Sequence, residues 1–117
     1  MLDPLSGQLN QYLTLLSVRQ KLVASNIANA DTPDYHTQDI DFESEFRSAA
    51  ASPTTGAGAI ATEVPGLRVR NDGNNVDLDR EARLLSENAL RFSVASNLLR
   101  GQIKSLRMAI QGGTTPS

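Results

Sequence analysis

Leu78, Ala82, Leu85, Ala89, Phe92, Ser96, Leu99, Ile103, Leu106 and Ile110 follow one another at alternating spacings of four and three, and only Ser96 among them is not apolar. A seam sustained over more than four heptads is the mark of helices that pack lengthwise, as in a coiled coil. The ends of the run agree with it. Asp77 suits an N-cap, Asp79 and Glu81 put negative charge in the first turn, and Arg100, Lys104 and Arg107 lie where the helix dipole favours cations. Gly112-Gly113 is the expected stop. From residue 78 to about 111 such a helix measures roughly 50 Å at ~1.5 Å per residue. A globule of this size has a radius of gyration near ~13 Å. The chain is therefore elongated.

A second, less regular helix opens the chain. Leu5, Leu9, Tyr12, Leu16, Val23 and Ile27 outline its face, Leu13, Leu15, Val18 and Leu22 broaden it, and Arg19 and Asn26 interrupt the strict seam. Leu84, Leu90, Val94 and Leu98 likewise widen the C-terminal helix beyond one stripe. Two helices that pair only with each other need one stripe each. The surplus suits a bundle or a tube wall with several neighbours better than a lone antiparallel hairpin. Between the helices, Phe42 to about Ala50 reads as a short helix. Ala51 to Thr62 is a small-residue run that cannot bury enough apolar surface to order itself. Glu63 to Arg70, with Val64, Leu67 and Val69 around Pro65-Gly66, suggests a short strand or hairpin. Asn71 to Asn75 is a turn cluster, with Gly73 suited to positive φ. The expected layout is one elongated, mainly α domain: a helix and its following motif over 1–30, an irregular segment over 31–77, and the heptad helix over 78–113.

Composition removes most chemistry. At 39% hydrophobic and 4% aromatic, the chain can build only a thin core. A net charge of −2, with eleven scattered basic residues, gives no nucleic-acid surface. There is no cysteine, so no disulfide or thiol chemistry. No stretch approaches the ~18 consecutive apolar residues of a membrane span. Met1-Leu2-Asp3-Pro4 lacks the basic and apolar regions of a cleavable secretory signal. His36 is the only histidine, and a zinc site built on it would need three carboxylates. The pairs Asp39/Asp41 and Asp77/Asp79 sit beside turns and read as caps and solvated charges, not as acid–base machinery. Asn71 to Val76 has a calcium-loop flavour without the ordered aspartates or the closing glutamate. No metal, cofactor, small-molecule substrate or catalytic set is expected.

Two motifs remain. Ala24-Ser25-Asn26-Ile27-Ala28-Asn29-Ala30-Asp31-Thr32-Pro33-Asp34-Tyr35 places two asparagines, poor helix formers, one turn apart just before a proline. Their amides share a face, free to bond to backbone or to a partner. The stretch resembles the N-terminal signature of the flagellar axial proteins, the rod and hook family, written Ala-Asn-Asn-Ile-Ala-Asn-x-x-Thr-Pro-Gly-Tyr. It departs at Ser25, where the family usually has Asn, and at Asp34, where it usually has Gly. Gly73-Asn74-Asn75-Val76-Asp77-Leu78-Asp79-Arg80-Glu81, followed by Ser86-Glu87-Asn88-Ala89-Leu90-Arg91-Phe92, is similar to the C-terminal signature of the short proximal rod proteins of that family. With the helices around them the two motifs cover roughly three quarters of the chain, leaving about residues 48 to 70.

The resemblance implies a structural subunit of the proximal rod, whose terminal helices pack with those of neighbours into a hollow tube that carries torque from rotor to hook. It implies export through the flagellar type III apparatus, and as partners other rod subunits, the rotor–rod adaptor protein and the export gate. The assembly surface is then expected at Leu9, Leu16, Val23, Asn26, Ile27 and Asn29 on the first helix, and at Leu85, Phe92, Leu99, Ile103, Leu106 and Ile110 on the last. Related export substrates carry a short Phe-x-x-x-apolar element that the gate reads; Phe42 to Phe46 fits that pattern, and equally fits a pair of rings pinning a short helix onto the long ones. Another proximal rod protein, or a cytoplasmic helical-hairpin adaptor or chaperone, would use the same faces.

Overall fold

The computed structural model describes residues 3–51 and 59–114. Three helices begin on an aspartate. Asp3 caps α1 (Pro4–Ala28) by accepting from the Ser6 N–H at 3.3 Å, and Pro4 stands at its first turn, where a missing N–H costs nothing. Asp41 accepts from Ser44 N–H to open α2 (Phe42–Ala51). Asp77 accepts from the N–H groups of Asp79 and Arg80, at 3.0 and 3.2 Å, to open α3 (Leu78–Thr114). A two-stranded antiparallel sheet joins β1 (Gln38–Ile40) to β2 (Ala61–Glu63), with Asp39 opposite Thr62.

The long helices run antiparallel. Asn26 near the end of α1 meets Glu81 in the first turn of α3, and Gln102 far along α3 donates to Asp3 at the start of α1. Residues 103–114 of α3 therefore extend past the start of α1. The molecule measures 73 × 26 × 17 Å with a radius of gyration of 18.6 Å, well above the globular value, so the elongated reading holds. Its apolar core is as thin as the composition implied: Leu15, Leu16, Val23, Ala30, Ile40, Val76, Leu84 and Ala95. Polar side chains fill the rest, with Asn26, Thr37, Asn74 and Glu81 essentially inaccessible to solvent.

Several expectations need correction. The heptad seam starting at Leu78 is not the face α3 turns to α1. That face carries Glu81, Leu84, Asn88 and Ala95, while Leu78, Leu85 and Phe92 stay exposed. Apolar periodicity misses it because two of its members are polar and are held by hydrogen bonds to α1. Gly112-Gly113 does not stop α3 either, since the helix continues through both to Thr114. A helical glycine costs only about 1 kcal/mol relative to alanine, which does not force a break. Glu63 to Arg70 is no local hairpin, because only Glu63 of that stretch lies in a strand and its partner is β1. Three-residue strands pair over long range, and alternation inside one of them cannot name the partner. Ala61 and Thr62, expected to lack order, are part of β2. Ala51, from the same stretch, closes α2, and residues 52–58 of it lie outside the described residues. Among the described residues no helix is long and apolar enough to cross a membrane.

Candidate functional site

Asn26 is the centre of the polar interior. Its Nδ2 donates to Gln38 O at 2.9 Å and to Glu81 Oε1 at 2.7 Å. Its Oδ1 accepts from Tyr35 Oη at 2.9 Å and from Gln38 N at 3.1 Å. An amide side chain has two donors and two acceptor positions, and here all four are used. The residue that interrupts the apolar seam of α1 thus ties together α1, the turn after it, β1 and α3.

A buried set of charges adjoins it. Asp39 accepts from Arg19 through both oxygens, at 3.2 and 3.0 Å, and from Arg80 at 2.6 Å. Arg80 also reaches both carboxylate oxygens of Glu81, at 3.0 and 3.2 Å. Burial pushes the Glu81 carboxyl above its ordinary value, opposed by the hydrogen bond from Asn26 and the charge of Arg80. Asp39 is thus not the solvated charge expected from its spacing. Asp41, Asp77 and Asp79 are caps or exposed. The Asp39 and Glu81 carboxylates are occupied by arginine and amide donors, an arrangement that fixes helix register. Among the described residues no group of three or more His, Cys, Asp or Glu is placed to hold a metal ion.

Asparagines also lock the two signature loops together. Asn74 Nδ2 donates to the carbonyls of Asn29 and Thr32, both at 2.8 Å, while its Oδ1 accepts from Val76 N and Arg70 Nη2, also at 2.8 Å. Arg70 donates to Ala30 O and Val76 O. Asn75 Oδ1 accepts from Thr37 N at 2.6 Å. Amides here add to the two backbone bonds between the loops, Asp34 N–H on Asp72 O at 2.9 Å and Asn75 N–H on Tyr35 O at 3.2 Å, and satisfy carbonyls that burial would otherwise leave unpaired. Thr32 to Tyr35 forms a turn closed by Tyr35 N–H on Thr32 O, with Pro33 second and Asp34 third at φ +61°. Such a turn demands positive φ at its third position, which is why glycine suits it. Gly73, at φ +85°, lies so close that a Cβ there would meet Asp34 Oδ1 at 2.1 Å and Asp34 Cα at 3.2 Å. The first motif and the second are one structural unit, about 40 residues apart in sequence and in contact through Asn74 on Asn29 and Thr32 and through Asn75 on Tyr35.

The expected interface residues divide sharply. Leu16, Val23 and Asn26 are fully enclosed between α1, α3 and β1, so they present no surface to another molecule in this structure. Asn29 serves the turn, donating to Ser25 O at 2.8 Å and accepting from Thr32 Oγ1 at 3.0 Å. Ile27, Leu85, Phe92 and Ile110 are exposed, whereas Leu9, Leu99, Ile103 and Leu106 are half-buried. Phe42 and Phe46 pack on α1, with ring centroids 5.2 and 5.4 Å from that of Tyr12 in edge-to-face geometry, and Arg19 lies over the Phe42 ring. Two open apolar grooves flank the helix pair. One, of about 450 Å³, is walled by Leu5 and Leu9 of α1, Phe46 of α2, and Leu90, Val94 and Leu98 of α3. The other, of about 460 Å³, lies by Leu16, Gln20, Ala89 and Phe92. The periodicity hinted at the first of these only as surplus width of α3.

The comparisons fall on the same parts. A family model described as "Flagella basal body rod protein" matches residues 13–36, the stretch that holds Asn26, Asn29 and the Pro33 turn. The chain is 33% identical to the flagellar basal body rod protein FlgB of Salmonella typhimurium, over 97% of this chain and 99% of that protein. It is 36% identical to FlgB of Escherichia coli, with the same coverage. The chain belongs to the FlgB family of flagellar basal body rod proteins. A more distant FlgB, from Borrelia hermsii, is 28% identical over 87% of the chain. FlgB proteins are structural subunits of the basal body rod, which fits a polar interior spent on register and apolar side chains left on the flanks. The family's usual glycine at the third turn position corresponds to Asp34, which takes the left-handed conformation all the same.

Proposed function

We propose that this chain is a building block of the proximal part of the rod, packing its α1–α3 pair against those of neighbouring subunits into a tube that carries torque from rotor to hook. One observation carries the reading. Both flanks of the helix pair hold large apolar side chains that the chain itself leaves in water, among them Leu78, Leu85 and Phe92 on one side and Leu90, Val94 and Leu98 on the other. Contiguous exposed apolar surface of this kind suits a partner surface. An antiparallel pair with such surface on two opposite sides suits a wall, in which each subunit has a neighbour on either hand.

The partners follow from the same reading: other rod subunits along the tube and the rotor–rod adaptor protein at its base. The chain reaches them through the type III export apparatus as unfolded polypeptide, and Phe42 to Phe46 is the element its gate reads before these rings close onto Tyr12. Fractionation tests the placement. Purified basal bodies should contain the chain, and a strain lacking it should stop assembly before the hook and fail to swim. Recovery of the chain only in the cytosol, with basal bodies complete without it, would overturn the proposal in favour of an adaptor or chaperone.

A further inference from the structure

Asp72-Gly73 is the one place in the chain where an aspartate or asparagine precedes glycine. Such a pair is chemically labile, because glycine sets no Cβ beside its own nitrogen to hinder attack on the preceding side chain. Both members serve the fold. A Cβ at position 73 would be driven into Asp34, and the backbone there takes φ +85°. Asp72 accepts from Asn74 N at 3.0 Å through its side chain and from Asp34 N at 2.9 Å through its carbonyl. The joint between the two motifs thus keeps a labile pair in place.

The folded turn withholds both reacting groups. Gly73 N–H is donated to Arg70 O at 2.9 Å, which closes the turn from Arg70 to Gly73. The Asp72 carboxylate is held on Asn74 N. Asn74 is anchored in turn on Asn29 O and Thr32 O, and its Oδ1 accepts from Arg70. Asp72 itself is exposed, so water reaches it freely. What restrains the pair is this set of bonds and not burial.

We infer that Asp72-Gly73 is a site of spontaneous isoaspartate formation, gated by the joint between the two motifs, and that the isomerised chain can no longer close that joint. In the opened turn the Gly73 nitrogen attacks Cγ of the Asp72 carboxylic acid. The new C–N bond closes a succinimide ring, and the nitrogen's proton leaves with the carboxyl hydroxyl as one molecule of water. A second water opens the ring. Opening at the Cγ carbonyl restores aspartate. Opening at the α carbonyl leaves the chain running through Cβ, with a free α-carboxylate and an unchanged mass. The isomer lengthens the main chain by one carbon inside the turn from Arg70 to Gly73. The carbonyl that Asp34 N–H needs is then out of place. The inference holds whether or not the chain enters a rod.

The test incubates the purified full chain in buffer and, in parallel, in urea sufficient to unfold it. Labelling by protein isoaspartate methyltransferase counts the isoaspartate, and peptide chromatography with mass spectrometry locates it. The unfolded chain should gain isoaspartate at Asp72 at least about tenfold faster than the folded one, since reaction through an opened form follows the population of that form. Asp72→Glu, whose longer side chain disfavours ring closure, should remove the signal in both solutions. Asn74→Ala loses the bonds to Asn29 and Thr32, and should raise the rate in buffer toward that of the parent in urea, reaching it if the variant fails to fold. Isomerised chain, separated and returned to buffer, should unfold at a lower urea concentration than the parent. The inference is overturned by equal rates in buffer and urea, by an unfolded chain that gains no isoaspartate at Asp72, by an unchanged rate in Asn74→Ala, or by an isomerised chain with the parent's midpoint.

Discussion

Replacing Asn26 with alanine isolates the interaction on which the fold depends most. The amide makes four hydrogen bonds, to Gln38 O, Glu81 Oε1, Tyr35 Oη and Gln38 N, between 2.7 and 3.1 Å. At about 1 kcal/mol for each neutral bond, and about 1.5–3 kcal/mol for the one to a buried carboxylate, the loss comes to roughly 4–6 kcal/mol. Alanine's better helix propensity offsets about 0.7 kcal/mol of it. The net cost is about 4 kcal/mol or more, a large share of the ~5–15 kcal/mol stability of a typical domain. Asn29→Ala loses only two bonds, both beside solvent, and should cost about 1 kcal/mol. Asn26→Asp should do at least as badly as alanine, since it replaces the donor facing Glu81 Oε1 with a second carboxylate. Urea titrations followed by far-UV circular dichroism would rank the four proteins. If Asn26→Ala stays within about 1 kcal/mol of the parent, or falls level with Asn29→Ala, the amide is not the hub described here.

Other perturbations follow from neighbouring geometry. Gly73→Ala combines a left-handed φ with a Cβ driven into Asp34, and should cost about 2 kcal/mol or more, whereas Asp34→Gly should gain up to about 1 kcal/mol. The glycine cost should be smaller in the Asp34→Gly background, and strict additivity in a double-mutant cycle would refute the contact. Phe42→Ala and Tyr12→Ala both open the aromatic cluster, but only the first alters the export element. Cell fractionation should find the Phe42→Ala chain held inside and the Tyr12→Ala chain exported; export of both would leave the rings a packing role alone. Glu81 has a raised folded value, so its contribution to stability is fully present below its ordinary value of 4.5 and is lost as pH rises through the folded value. Relative to Glu81→Gln, the parent should therefore lose stability as pH climbs above about 4.5, and parallel pH profiles would contradict the assignment.

Much of the fold was legible in the residues. The cap at Asp77, the short helix from Phe42 and the great length of α3 all follow from local chemistry acting on neighbouring residues, and the structure has each of them. The choice of inward face was not legible. Apolar spacing marks every stripe of α3 that avoids water, and Glu81 and Asn88 qualify for the interior only through partners 55 and 72 residues away. The same blindness hid Asp39, whose two arginines come from α1 and α3. Three-residue strands carry too little pattern to reveal a partner across a loop. The motif asparagines stood out because they break helix propensity, and such a conflict with local preference marked the residues that tie distant segments together. Their role as an interior clamp and not as an outer surface depended on which carbonyls the turn after α1 leaves unpaired, and no spacing rule encodes that.

The central claim is that this chain holds itself together through polar register and joins its neighbours through the apolar flanks of α3. Leu90→Asp and Phe92→Asp test it together, because both side chains lie in water in the single chain, 67% and 42% exposed, one on each flank. Purified, each variant should keep the parent's helical signal and unfolding midpoint, since surface substitutions away from packed features change stability by about 0.5 kcal/mol or less. In cells making only the variant chain, quantitative mass spectrometry of purified basal bodies should then find it depleted and the hook missing. Basal bodies that contain either variant at the parent's level, with hooks attached and normal swimming, would contradict the claim.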